Sequence, residues 1–229
     1  ILAGFVLLPL LGERWTTLVL VLALFALAAA GHALEARRGA AVRPSTQVRV
    51  AVAAAAVASV LLVAFTRDFE TSCDARIVLR DHTATVIATG EGMKKGLLVN
   101  GYGMTNLTPI TKTMVHLPMA SLPRPPVKGL VLCLGMGTSF RSMLTWGVDA
   151  TVVELVPSIP ALLPFYQADG EEVRRNPRGK IVVDDAGRVL ERNGETFDVI
   201  VIDPPPPIET AGSSLLYSSE FYESARRRL

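Results

Sequence analysis

Residues 16–34 read TTLVLVLALFALAAAGHAL, a run without a single charge. In lipid, such a stretch must satisfy its backbone hydrogen bonds internally, which one segment can do only as a helix. Its length approaches the ~20 residues needed to cross a hydrocarbon core. Residues 50–65 form a second uncharged run, slightly short and rich in Ala, and residues 1–12 look like the tail of a longer span. The competing reading of each run is a buried helix of a soluble protein. A secretory leader would need a basic segment and a cleavage site, and neither is in place. His32, near the end of a run, reads as an interfacial or packing residue. The composition is 50% hydrophobic, and the apolar excess is concentrated in these runs. Residues 1–66 are therefore expected to be transmembrane segments, and the remainder globular. Because it opens at Ile1 within an apolar run and stops at Leu229, the chain is expected to be a piece of a longer protein.

Between the runs, residues 35–49 carry Arg37, Arg38, Arg43 and Arg49 against Glu35 alone. Basic loops stay on the cytoplasmic side of a membrane. If residues 50–65 then cross, the globular part falls outside, opposite to the placement that the ligand chemistry below favours. Missing upstream spans, or a segment that does not fully cross, would reconcile the two. The expectation kept is a multi-pass inner- or plasma-membrane protein whose globular part is cytoplasmic. A net charge of +2 gives no argument for nucleic acid. Cys73 and Cys133 lie far apart, and His32, His82 and His116 lack ligand spacing, so neither a disulfide framework nor a metal site is expected.

From Arg76 the texture changes. RIVLRDHTATVIATG alternates and is rich in β-formers, and KKGLLVNGYGMT follows a Gly-containing turn, which predicts a hairpin or small antiparallel sheet. NLTPITKTMVHLPMASL has a helix start and spaced apolar residues, then the breaker PRPPVKG. This gives a small β domain with a linker helix over 67–124. Over 125–229, four β-rich runs alternate with helical or turn segments: LVLCLGMGTSF, ATVVELVPSI, GKIVVDDAGRVL and FDVIVIDPPPP. Strands apolar on both faces and separated by helices predict a parallel, doubly wound α/β sheet.

In such sheets ligands bind beyond the carboxyl ends of the strands, near the point where strand order reverses. Four strand ends fall there: Gly135-Met136-Gly137, Glu154, Asp184-Asp185 and Asp203. The glycines let backbone approach a ligand and free the amino end of the next helix. Glu154 lies 19 residues after Gly135, an offset at which an acidic side chain accepts from ribose hydroxyls. Asp184 or Asp185 is placed to accept from an adenine amino group. Each has a blander alternative: a tight turn, a solvated carboxylate, a helix N-cap for Asp185, a turn residue for Asp203. Taken together they favour an adenosine-type ligand. Phe140 and Arg141 follow where a third glycine would complete G-x-G-x-x-G, which argues for one adenosine moiety rather than a dinucleotide.

These motifs, LLVNGYGMT…TKTMVHLPM, VLCLGMGTSF…VVELVPSI, VVDDAGRVL and FDVIVIDPPPP…SSLLYSSEFY, resemble the spermidine synthase (polyamine aminopropyltransferase) family over about residues 76–229. RDHTATV and the preceding spans look most like its membrane-fused bacterial branch. The resemblance implies a small β domain and a Rossmann-like, S-adenosylmethionine-dependent methyltransferase-type sheet, truncated here because later strands would lie beyond Leu229. It implies transfer of an aminopropyl group from decarboxylated S-adenosylmethionine to a small-molecule amine. It also implies Gly135 and Gly137 at the cofactor, Glu154 on its ribose, Asp185 near its adenine and Asp203 as the acid–base carboxylate. No metal is implied. Expected partners are the amine, the bilayer and, as an option, a second copy of the chain, with no nucleic acid.

The departures bear on substrate. The family's strand-end Asp-Ser-Ser-Asp-Pro reads Asp203-Pro204-Pro205-Pro206-Pro207, with Pro206 in place of the second Asp. Thr138 replaces the glycine-turn Asp that holds the donor's ammonium, and Thr111 and Thr113 replace the Tyr and Glu of Tyr-x-Glu-Met. A dication needs carboxylates in place of its lost hydration, so these changes point away from ordinary putrescine chemistry. Asp203-Pro204-Pro205 also matches the first three positions of an Asp-Pro-Pro-aromatic element of amino-methylating enzymes. Two other readings therefore stand beside aminopropyl transfer: an S-adenosylmethionine-dependent methyltransferase, and a non-catalytic nucleoside sensor on a membrane protein. Tyr217 and Tyr222, with Phe221, flank the last strand and are candidates for an acceptor pocket or for core packing. His116 is read as a packing residue, Cys133 as a buried inert thiol, and His82 with Asp81 as a surface pair.

Overall fold

The computed structural model describes residues 2–37, 45–74, 76–192, 194–204 and 213–229, with the side chains of Ala36 and Ser213 left aside. Arg38 and Arg43 of the basic loop, and Pro205, Pro206 and Pro207 of the proline run, lie outside the described residues. The chain divides into two compact units, Ile1–Ser72 and Cys73–Leu229.

In the first unit, α1 (Leu8–Arg37) follows a π-helical turn at Ala3–Leu7, and α2 is Thr46–Phe65. The two apolar runs that open the sequence belong to one element, interrupted at Gly12, where φ 76° and ψ 176° leave helical space. Only glycine takes that conformation cheaply, and the charged pair Glu13-Arg14 follows it. Ser45 caps α2 by accepting from the Val48 amide. Leu24, Leu27, Val57 and Leu62 stand exposed, and both helices are long and apolar enough to cross a membrane.

The second unit contains two sheets. β1 (Ile77–Arg80), β2 (Thr85–Thr89), β3 (Gly96–Val99) and β4 (Tyr102–Asn106) form an antiparallel sheet in chain order. α3 (Ile110–Ser121) then leads to β5 (Lys128–Leu132), α4 (Thr138–Leu144), β6 (Asp149–Glu154), α5 (Leu163–Tyr166), α6 (Gly170–Arg174), β7 (Gly179–Val183), α7 (Ala186–Arg192), β8 (Val199–Ile202) and α8 (Ser219–Arg226). The second sheet is wholly parallel, in the order β7-β6-β5-β8. Chain order reverses between β5 and β8, so the switch point lies at their tips.

Alternate residues of β5 serve opposite faces. Val131 packs with Val152, Val201, Phe140 and the antiparallel-sheet residues Val86 and Leu97, whereas Leu130 and Leu132 pack with Leu190, Phe221 and Ala225. This alternation explains why β5 reads as unbroken apolar sequence. Because the face bearing Val131 shares its core with β2 and β3, residues 73–229 pack as one unit. The boundary read at 124/125 falls inside it, between α3 and β5. Two polar contacts join the antiparallel sheet to α5: Lys95 Nζ donates to the Phe165 carbonyl at 2.6 Å, and the Tyr166 hydroxyl donates to the Gly96 carbonyl at 3.1 Å.

Candidate active site

Strand register sets the site. Leu132 pairs with Val153 and Ile202, and Glu154 with Val183. The next residues, Cys133 and Asp203, thus stand level with Glu154, and Asp184 lies one residue beyond it along the same edge. Backbone bonds carry the ladder to that edge, from Cys133 N to Val153 O, Asp184 N to Glu154 O and Asp203 N to Leu132 O. Beyond it, the tips and the antiparallel sheet line a cavity of about 520 Å³, within the size range of small-molecule sites. Its wall includes Glu154, Asp184, Asp185 and Asp203 from the tips, Gly135 and Thr138 from the glycine turn, and Thr83, Val99 and Met104 from the opposite side.

Glu154 is 6% exposed. Its Oε2 accepts the Leu134 and Gly135 amides at 3.1 and 3.3 Å, and its Oε1 accepts the Val156 amide at 2.9 Å. Burial raises its pKa against the pull of those amides. The carboxylate expected on a ribose therefore also braces the glycine turn. The two glycines differ. Gly135 has φ +51°, and a Cβ there would meet only the Thr105 methyl, at 3.9 Å; Gly137 has φ +78° and a Cβ there would collide with the Leu163 side chain. Gly135 lines the cavity, whereas Gly137 is outside the described lining and serves the turn and the packing of α5.

Asp185 accepts the Arg188 amide at 2.9 Å and so caps α7, the alternative open in the sequence, while still lining the cavity. Asp184 accepts the Asp185 amide and pairs with the Arg188 guanidinium at 3.0 Å. Asp203, half-buried at the tip of β8, has its pKa raised by burial. Cys133, at φ +75°, is the non-glycine residue that carries the chain from β5 into the turn. Burial, with the Glu154, Asp203 and Asp185 carboxylates nearby, pushes its thiol up to about 12, which leaves it protonated and inert. Thr138 is buried and accepts from Gln167 Nε2 at 3.2 Å. Thr111 lines the cavity, whereas Thr113 is exposed and bonds within α3. His116 accepts the Trp146 indole N–H at 2.8 Å, the packing role expected of it.

The segment after β8 contributes Leu215, Leu216 and Phe221 to the cavity. Tyr217 and Tyr222 are 42% and 48% exposed and are not part of its described lining, although the Tyr217 hydroxyl donates to the Pro204 carbonyl at 3.4 Å. Sequence reading missed Asp81, taken with His82 as a surface pair. Its Oδ1 accepts the Thr83 and Ala84 amides and its Oδ2 the Ser158 amide across 77 residues. An Asp at the start of a short Asp-His-Thr-Ala link between two strands is an Asx-turn signal, but nothing local to it points to Ser158.

No family model matches the chain. It is 29% identical over 139 residues to the polyamine aminopropyltransferase of Sulfurisphaera tokodaii, covering 58% of this chain and 46% of that protein. It is also 29% identical over 147 residues to the polyamine aminopropyltransferase of Saccharolobus solfataricus, covering 59% and 47%. The chain is similar in sequence to the polyamine aminopropyltransferases. It spans about half the length of the curated relatives it matches. Among solved structures of the family, a spermidine synthase in complex with the transition-state analogue AdoDATO superposes with a TM-score of 0.58 at 23% identity, over 67% of this chain and 54% of that one. Spermidine synthase from Thermotoga maritima gives 0.56 at 22%, over 67% and 53%. These structures share the fold over about two thirds of this chain.

Proposed function

We propose that the chain is the donor-binding part of a membrane-anchored aminopropyltransferase that uses decarboxylated S-adenosylmethionine and a small amine. The observation that carries this reading is the row of strand tips at the switch point, where Glu154, Asp184, Asp185 and Asp203 share one cavity with the open backbone of Gly135. Glu154 would accept from the donor ribose through Oε1, and Gly135, without a side chain, lets the donor lie against the turn. Asp184 and Asp185 would face the adenine end.

The acceptor amine attacks the propyl carbon bound to the sulfonium. The new C–N bond forms as the C–S bond breaks, and its electron pair leaves on sulfur as neutral methylthioadenosine. The proton released from the amine passes to Asp203, the carboxylate at the β8 tip, which acts as general base. Partial burial, which raises its pKa, makes it a better base than an exposed aspartate.

A second reading, methyl transfer from S-adenosylmethionine, is favoured by one observation. Thr138, bonded to Gln167, is neutral where the resemblance puts a carboxylate for the donor's ammonium. Incubating the complete protein with each donor and an amine panel, with products read by mass, separates the two. An added aminopropyl group supports the first reading and an added methyl group the second; an absence of transfer with either donor refutes both.

Anchoring rests on α1 and α2. We place the globular unit on the cytoplasmic side, with the donor supply. The protein should stay with carbonate-washed membranes and be released by detergent, and recovery in the soluble fraction would refute anchoring.

A further inference from the structure

We infer that Asp81 is a positioning residue that latches the β1–β2 turn to the loop after Glu154 and carries donor occupancy to the facing wall of the cavity. The inference rests on reading this cavity as an adenosyl-donor site, and goes beyond it in naming how the two walls communicate.

The latch is a continuous series of amide–carboxylate bonds. Glu154 Oε1 accepts the Val156 amide at 2.9 Å. Two residues on, the Ser158 amide donates to Asp81 Oδ2 at 3.0 Å. Asp81 Oδ1 then takes the Thr83 and Ala84 amides at 2.7 and 3.0 Å, and the Asp81 amide donates to the Ala84 carbonyl at 3.1 Å. Thr83 and Ala84 line the cavity on one side and Val156 and Ile159 on the other. Asp81 itself is outside the described lining, so it acts on the cavity only through these neighbours.

Asp81 is well suited to this task. Burial raises its pKa, but hydrogen bonds from Ser158, Thr83 and Ala84 outweigh burial and hold the carboxyl below the ordinary value. It is thus charged at neutral pH, and its bonds to amides are charge-assisted and short. The loop between the two carboxylates is brief and holds Pro157, whose fixed φ leaves little slack. A shift of Val156 when Glu154 engages a ribose hydroxyl must therefore reach Ser158, and through Asp81 the turn that forms the opposite wall. Coupling of this kind needs a contiguous physical connection whose occupancy both ends bias.

Backbone hydrogen exchange of the complete protein, with and without methylthioadenosine, tests the latch. In the unaltered protein the ligand is expected to slow exchange at Val156, Ser158, Thr83 and Ala84 together, by tenfold or more. In Asp81→Asn the carboxamide sets an N–H donor or a neutral oxygen against Ser158. Ligand protection should persist at Val156 and fall below twofold at Thr83 and Ala84. Ser158→Pro removes the amide that reaches Asp81 together with the hydroxyl beside it, at a residue whose φ of −81° suits proline, and leaves the Asp81 Oδ1 cap of the turn in place. The same loss in that variant shows coupling rather than a melted turn. Ligand-dependent protection of Thr83 and Ala84 that survives both substitutions overturns the inference. So does an unaltered protein protected at Val156 but not at Thr83 and Ala84. Absence of protection anywhere refutes the donor site itself, and the latch with it.

Discussion

The carboxylate of Glu154 holds the amide of Gly135 at 3.3 Å, and the same oxygen holds that of Leu134 at 3.1 Å. The glycine turn is thereby shaped by a side chain from the neighbouring strand. A carboxylate offers about four acceptor positions. Oε2 carries two of these donors and Oε1 the Val156 amide, with the Leu155 amide also drawing on the group, so a ribose hydroxyl would have to share the carboxylate with the brace. Brace and proposed ligand contact would fall on the same group.

Glu154→Gln should therefore cost stability even without ligand. Its carboxamide places an N–H₂ group against backbone N–H donors in a buried site. Leaving one such amide unpaired costs about 1–3 kcal/mol, and each kcal/mol lowers Tm by about 2–4 °C in a unit of this size. Calorimetric melting of the ligand-free protein checks this. An unshifted Tm would show that the turn stands without the brace.

Asp203 yields opposite predictions for turnover and for stability. Burial raises its pKa above the ordinary 3.8. As a base it must be charged, so turnover falls as pH drops through that raised value, and the acid limb of the rate profile lies above pH 3.8. For stability, the folded state holds the proton more tightly than the unfolded one. The favourable contribution is fully present below 3.8 and is lost as pH rises through the folded pKa. Asp203→Asn should melt at or slightly above the unaltered protein at neutral pH, while transfer falls by about 10²–10⁴-fold. Undiminished transfer in this variant would remove Asp203 from the mechanism.

The two glycines of the turn should separate under substitution. Both have positive φ, so Ala at either costs about 1–2 kcal/mol of backbone strain. At Gly137 the added methyl also overlaps Leu163, and overpacking adds about 1–3 kcal/mol. At Gly135 it faces open cavity, so Gly135→Ala should lose ligand affinity more than stability. Denaturant titration and ligand binding on both variants test this, and equal stability losses would contradict it. Leu163→Ala should partly restore Gly137→Ala.

The Cys133 thiol, pushed up to about 12, should resist alkylation by iodoacetamide at pH 8 and react once the chain is unfolded. Fast labelling of the folded protein at Cys133 would show a thiolate that this environment does not support.

The parallel sheet was legible because its strands are buried on both faces. Continuous apolar runs such as 199–202, each stopped by Gly, Glu or Asp, leave little choice of period, and they placed Glu154, Asp184 and Asp203 at one edge. What each carboxylate does there was not legible, because it depends on which backbone amides fold back onto it. Asp185 serves α7 as its cap, and Glu154 braces a turn 19–20 residues away. The place of the tyrosines was not legible for a related reason. Tyr222 adjoins Phe221 in sequence, but Phe221 is buried while Tyr222 is exposed, since neighbouring positions on a helix point to different sides. Asp81 escaped notice because its decisive partner, the Ser158 amide, lies across two sheets.

The central claim is that an adenosyl donor lies across these strand tips against the glycine turn. Calorimetric titration of the complete protein with methylthioadenosine, alongside its Glu154→Ala variant, tests it most directly. The account predicts saturable one-site binding that weakens by about 1–3 kcal/mol in the variant, the scale of a lost buried partner. Binding of equal strength in both proteins, or none in either, would contradict it.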